Sequence, residues 1–156
     1  MTKYGMATKK ETSEMTSCYC TYVWGNFVTW QSKKQSVVAR SSAAAEFRAI
    51  THGICEEMWL KRLLQELQVT LNGSMEMFCK NQAVISIARN PVHYDRTKHV
   101  EIDPYFIKEK IEEGIINLKY TTTAQQIVDI LIKALPITSF EDLRSKLGMI
   151  DIYNPA

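Results

Sequence analysis

Two segments dense in aromatic and β-branched residues, CYCTYVW (18–24) and FVTWQ (27–31), flank Gly25-Asn26. Strand-type sequence on both sides of a two-residue connection with glycine first predicts a β-hairpin, so the fold must accommodate an antiparallel pair. Behind it the apolar period changes. Phe47, Ile50, Ile54 and Met58 recur at spacings of three and four, and Leu60, Leu63, Leu64 and Leu67 continue the face. This predicts a long helix, capped by Ser41 or Ser42 and closed by Asn72-Gly73. MEMFC (75–79) reads as a strand, Asn81–Arg89 as a helix stopped before Pro91, and Ile102–Glu113 as a helix with Pro104 in its first turn. IINLKYT predicts another strand, and Ala124–Lys133 and Phe140–Leu147 two further helices. A hairpin followed by alternating helices and strands predicts an α/β layer fold with a mixed sheet.

At 156 residues the chain is one domain in size. Residues 1–14 (MTKYGMATKKETSE) are polar and without clear periodicity, and are expected to be a poorly ordered tail; 15–150 form the domain and 151–156 a short C-terminal tail. No apolar run approaches the roughly 18 residues of a membrane-spanning helix, so no membrane partner is expected. Four cysteines in a chain of this length make no disulfide framework, which points to a reducing intracellular compartment, cytoplasmic or nuclear. A formal net charge of +2 is too small to argue for a polyanionic partner by itself. Trp24, Trp30 and Trp59 fit the apolar pattern and are expected in the core.

Four strings carry a resemblance: WQSKKQSVVARSSAAAEFRAI, WLKRLLQEL, FCKNQAVISIARNPVHYDRTKHVEID and QQIVDILIKALP…FEDLRSKLGM. Together they resemble the ribonuclease H domain of copia-type retrotransposon Pol polyproteins, from about Met15 to the C-terminus. The resemblance implies a five-stranded mixed sheet flanked by helices. It also implies Mg²⁺-dependent hydrolysis of the RNA strand of RNA–DNA hybrids, with a cluster of carboxylates holding two hard cations.

The implied acids are four, and this chain departs from the pattern at two of them. Glu46, in AAEFRA, and Asp129, in IVDILIK, stand at the helix and late positions and are the residual catalytic and metal-binding candidates. Where the pattern reads C-D-N-Q, the chain has Cys79-Lys80-Asn81-Gln82, and no Asp precedes Asp95. An attraction of ~4 kcal/mol between unit charges ~4 Å apart becomes a repulsion when Lys80 replaces the acid, and a divalent ion doubles it. The resemblance therefore implies a degenerate site that binds Mg²⁺ weakly or not at all, an inactive domain, and a sheet lacking its central first strand. The gap is then expected to be met by the hairpin closing directly on MEMFC, by the N-terminal tail pairing poorly in it, or by a partner protein donating a strand. A non-catalytic nucleic-acid-binding module and a gene remnant without function are the alternatives. Lys33, Lys34, Arg40, Arg96, Lys98 and His99 are the candidate contacts to hybrid or other nucleic acid.

Overall fold

The computed structural model describes the backbone of residues 2–11, 14–34, 42–91, 103–149 and 153, and the side chains of 16–34, 43–91, 103–149 and 153. Five strands form one sheet: β1 (Thr2–Glu11), β2 (Glu14–Val23), β3 (Asn26–Lys34), β4 (Met75–Cys79) and β5 (Ile116–Tyr120). Their order is β3-β2-β1-β4-β5. β1 is antiparallel to β2, which is antiparallel to β3, while β4 lies parallel to both β1 and β5. The predicted mixed α/β sheet is thus present, and the expectation of a missing first strand is corrected. Residues 2–11 are not a tail; they are the central strand.

Local preference does not explain this, because TKYGMATKKE carries three lysines and a glycine. The neighbours do. β2 and β4 each present a row of backbone N–H and C=O groups to the same slot, and leaving both rows unpaired within a sheet is far costlier than seating a polar strand. Every residue from Thr2 to Glu11 pairs with β2, and Lys3, Tyr4 and Gly5 also stand opposite Glu76, Met77 and Phe78 of β4. The slot is filled from within the chain, so the expected strand-donating partner has no vacancy to enter.

The hairpin forms one residue earlier than predicted. Its turn residues are Trp24 and Gly25, with φ of 50° and 84°. Positive φ at both positions matches the right-handed strand twist, at a steric cost that the bulky Trp24 bears and Gly25 does not.

Helices α1 (Ser42–Glu66), α2 (Gln82–Arg89) and α3 (Asp103–Glu112) cover one face. Phe47, Ile50, Ile54, Val84, Ile85, Ala88 and Ile107 pack there against Tyr19, Met75, Met77, Ile116 and Leu118. Period-two alternation sends Cys18, Cys20 and Tyr22 to the opposite face, where they meet Val128 and Leu147. The stretch predicted as a helix over 124–133 is instead two short 3-10 turns, Thr123–Gln125 and Ile127–Leu131, followed by α4 (Ile137–Lys146). Among the described residues no helix is long and apolar enough to cross a membrane.

Two core expectations change. Trp24, Trp30 and Trp59 are 59%, 56% and 56% exposed. Trp24 sits in the turn, Trp30 on an edge strand that is exposed along nearly its whole length, and Trp59 on the outer side of α1. The apolar stripe of α1 continues to Glu57 rather than Met58, which is exposed. The Glu57 carboxyl is 1% exposed and neither oxygen has a hydrogen-bond partner. Burial alone pushes its pKa up to about 8.

Two outcomes are expected. The folded pKa of Glu57 lies above its unfolded value of 4.5, so the native state holds a proton that the unfolded chain releases. Stability then falls as pH rises from about 4.5 to about 8, by an amount on the order of a few kcal/mol; Glu57→Gln flattens this slope in urea melts at pH 5 and pH 8. Tyr4→Pro removes a ladder donor from a central strand and is expected to abolish the cooperative thermal transition followed by circular dichroism.

Candidate functional site

The C-terminal end of β4 delivers Cys79 and Lys80 to the point where α1, α2 and the 3-10 turns converge. Asn81 stops the strand and starts α2: its Oδ1 accepts from the backbone N–H groups of Ala83 (3.1 Å) and Val84 (3.3 Å), an N-cap. Its own N–H donates to Cys79 Sγ at 3.4 Å. Glu46, in the first part of α1, places Oε2 3.9 Å from the same sulfur. Burial is the main cause that pushes the Cys79 thiol up to about 11, so it is a packing group and not a nucleophile.

Asp129 is 2% exposed on the second 3-10 turn. Lys133 Nζ donates to its Oδ2 at 2.5 Å, and Lys80 Nζ lies 3.8 Å from Oδ1. The second contact is an ion pair beyond hydrogen-bond distance, and Oδ1 has no hydrogen-bond partner. Burial lowers the Lys80 pKa, Asp129 opposes that shift, and the neighbouring Lys133 ammonium adds to it. Glu46, Lys80, Asn81, Gln82, Ala83, Tyr120 and Thr123 line an open cleft of about 470 Å³.

Glu46, Lys80 and Asp129, chosen from sequence, therefore converge. Lys33 and Lys34 do not: they are exposed at the end of β3, opposite Ser17 and Thr16, and are not among the residues lining the cleft. Arg40, Arg96, Lys98 and His99 lie outside the described residues. Sequence reasoning missed Lys133. The signal was available in the i, i+4 spacing of Asp129 and Lys133, which puts acid and base side by side over one turn. It also missed Tyr120 and Thr123, whose place beside Lys80 comes from the β4–β5 pairing of Cys79 with Tyr120.

The donor set does not fit a pair of divalent cations. Mg²⁺ takes several oxygen ligands, most often carboxylates. Here one carboxylate is already engaged by two ammonium groups, and among the described residues no three His, Cys, Asp or Glu side chains converge to hold a metal ion. A divalent ion beside Asp129 would stand within a few Å of two positive charges, at an electrostatic penalty twice that of a monovalent one.

No family model matches the chain. It is 34% identical over 134 residues to the retrovirus-related Pol polyprotein from transposon RE1 of Arabidopsis thaliana, 86% of this chain and 9% of the polyprotein. It is 33% identical over 125 residues to that from transposon TNT 1-94 of Nicotiana tabacum, 80% of this chain and again 9% of the relative. The chain thus spans about a tenth of these relatives. Among solved structures, the N-terminal RNase H domain of Rv2228c from Mycobacterium tuberculosis superposes with a TM-score of 0.53 at 12% identity, covering 92% of this chain and 96% of that one. LC11-RNase H1, solved in complex with an RNA/DNA hybrid, gives 0.53 at 11% identity over 81% of this chain and 88% of that one.

Removing Lys133 leaves the buried Asp129 charge with only the longer Lys80 contact. Lys133→Met is expected to destabilise the protein by about 3–5 kcal/mol at neutral pH, and Lys80→Met by less, as read from denaturant midpoints.

Proposed function

From the premise that this chain belongs with the retrotransposon Pol polyproteins and has their RNase H-like domain, we propose that it engages nucleic acid without cleaving it. The observation that carries this reading is the Lys80 ammonium at the end of β4, 3.8 Å from Asp129. In the pattern the chain resembles, an acid stands at that position and helps assemble two Mg²⁺ ions. Replacing it with a cation reverses the sign of its interaction with any metal. β1 makes the deficit larger, because TKYGMATKKE contains no Asp. Glu46 and Asp129 are the remaining two acids, and Asp129 is neutralised in place by Lys133.

Nucleic-acid binding is the part of the ancestral role that does not require the metals. The cleft offers the Lys80 ammonium and the Gln82 amide, with the Tyr120 ring, 49% exposed, on one wall. Those groups match the phosphate, polar-edge and ring-face chemistry of a nucleic-acid strand. RNA–DNA hybrid is the ligand that the family membership favours. Lys33 and Lys34, on the far edge strand, are assigned at most an auxiliary contact with the duplex backbone.

The test is cleavage of an end-labelled RNA–DNA hybrid by the purified full chain and by Lys80→Asp, with Mg²⁺ and then Mn²⁺. Both proteins are expected to leave the hybrid intact while remaining folded by circular dichroism, since Lys80→Asp restores one acid and β1 still supplies none. Metal-dependent cleavage by the unmodified protein would overturn the reading.

A further inference from the structure

We propose that Lys80 takes a backbone phosphate of nucleic acid directly, by its ammonium group and without a divalent ion, and that Lys133 makes this possible by neutralising Asp129. The inference rests on the nucleic-acid reading above and names the contact within it. Its basis is the unequal sharing of one buried carboxylate between two ammonium groups. Lys133 holds Oδ2 in a 2.5 Å hydrogen bond. Lys80 stands 3.8 Å from Oδ1, so none of its three N–H donors is spent on Asp129.

The carboxylate and the ammonium groups also differ in depth. The Asp129 side chain is 3% exposed, whereas those of Lys80 and Lys133 are 21% and 27% exposed. The negative charge lies beneath and the positive charges lie outward, with Lys80 on the cleft wall beside Asn81, Gln82 and Thr123. A lysine ammonium is a compact point charge that binds phosphate oxygens without the bidentate geometry an arginine requires. A phosphodiester bears one negative charge, which a single ammonium balances. A two-metal site, by contrast, needs an excess of carboxylate charge around it.

Glu46 makes the two modes of phosphate capture separable by sign. It lines the same cleft as Lys80. Where phosphate is held through metal, removing this carboxylate removes a ligand and weakens binding. Where phosphate is held by an ammonium, Glu46 repels the incoming anion and competes for the cation, so Glu46→Gln tightens binding.

The experiment is fluorescence anisotropy of a labelled RNA–DNA hybrid with the full chain, in EDTA, over a series of KCl concentrations. The unmodified protein is expected to bind in EDTA. Lys80→Met should weaken binding and reduce the magnitude of the slope of log K against log salt by about one, the signature of one lost phosphate contact. Lys80→Arg should retain the slope, and Glu46→Gln should bind more tightly. Unchanged slope in a folded Lys80→Met protein, or weaker binding by Glu46→Gln, overturns the phosphate assignment while leaving the nucleic-acid reading in place. Binding that appears only with Mg²⁺ also overturns it. Absence of binding by the unmodified protein under either condition overturns the nucleic-acid reading and this inference together.

Discussion

Backbone hydrogen bonding across the slot between β2 and β4 is the constraint on which the remainder of the molecule depends. Both strands carry core residues toward the helices, Tyr19 from β2 and Met75, Met77 and Cys79 from β4. They can share one core only if a strand bridges them. β1 supplies that bridge, antiparallel to one neighbour and parallel to the other. With the bridge in place, the end of β4 is fixed against α1, and Lys80 is held against the 3-10 turn that carries Asp129. Pairing at the centre of the sheet and charge arrangement at its edge are therefore one problem: a slip of one residue in β1 would exchange its two faces and disturb both packed layers.

The charges that converge at the end of β4 are balanced by groups of the chain itself. A cluster of acids is unstable to its own repulsion and is completed by cations from solution. Glu46 and Asp129 are instead accompanied by cations built into the chain, from the β4–α2 junction and from one helical turn beyond Asp129. Two carboxylates and two ammonium groups there balance in formal charge. The arrangement also explains why Asp129 tolerates near-complete burial: Lys133 and Lys80 supply the countercharge that a buried carboxylate requires.

Much of this was legible in the amino-acid sequence, and the failures have physical causes. MEMFC, Asn81–Arg89 and IINLKYT were located closely because short apolar runs ended by Asn, Pro and Gly carry their own boundaries. The resemblance, through AAEFRA, the Cys79-Lys80-Asn81-Gln82 string and IVDILIK, also singled out Glu46, Lys80 and Asp129. β1 was misread because its strand conformation is imposed by partners distant in sequence, a case of tertiary context overriding propensity. The 124–133 segment was misread because its apolar residues suit a helical period, whereas its backbone makes 3-10 turns before Lys133. Glu57 fell on the buried stripe because a helical period of 3.6 permits either of two adjacent positions to face inward. Pattern alone favoured Met58.

The exposure of the tryptophans has a spectroscopic consequence. An indole normally reports folding because its emission shifts when a buried ring meets water. Trp24, Trp30 and Trp59 are each more than half exposed in the native state, two of them on the hairpin and one on the outer side of α1. Their emission therefore begins near that of the unfolded chain and is a poor gauge of denaturation. The same rings stand ready to respond when another macromolecule covers them, so in this protein intrinsic fluorescence reports surface contact better than it reports folding.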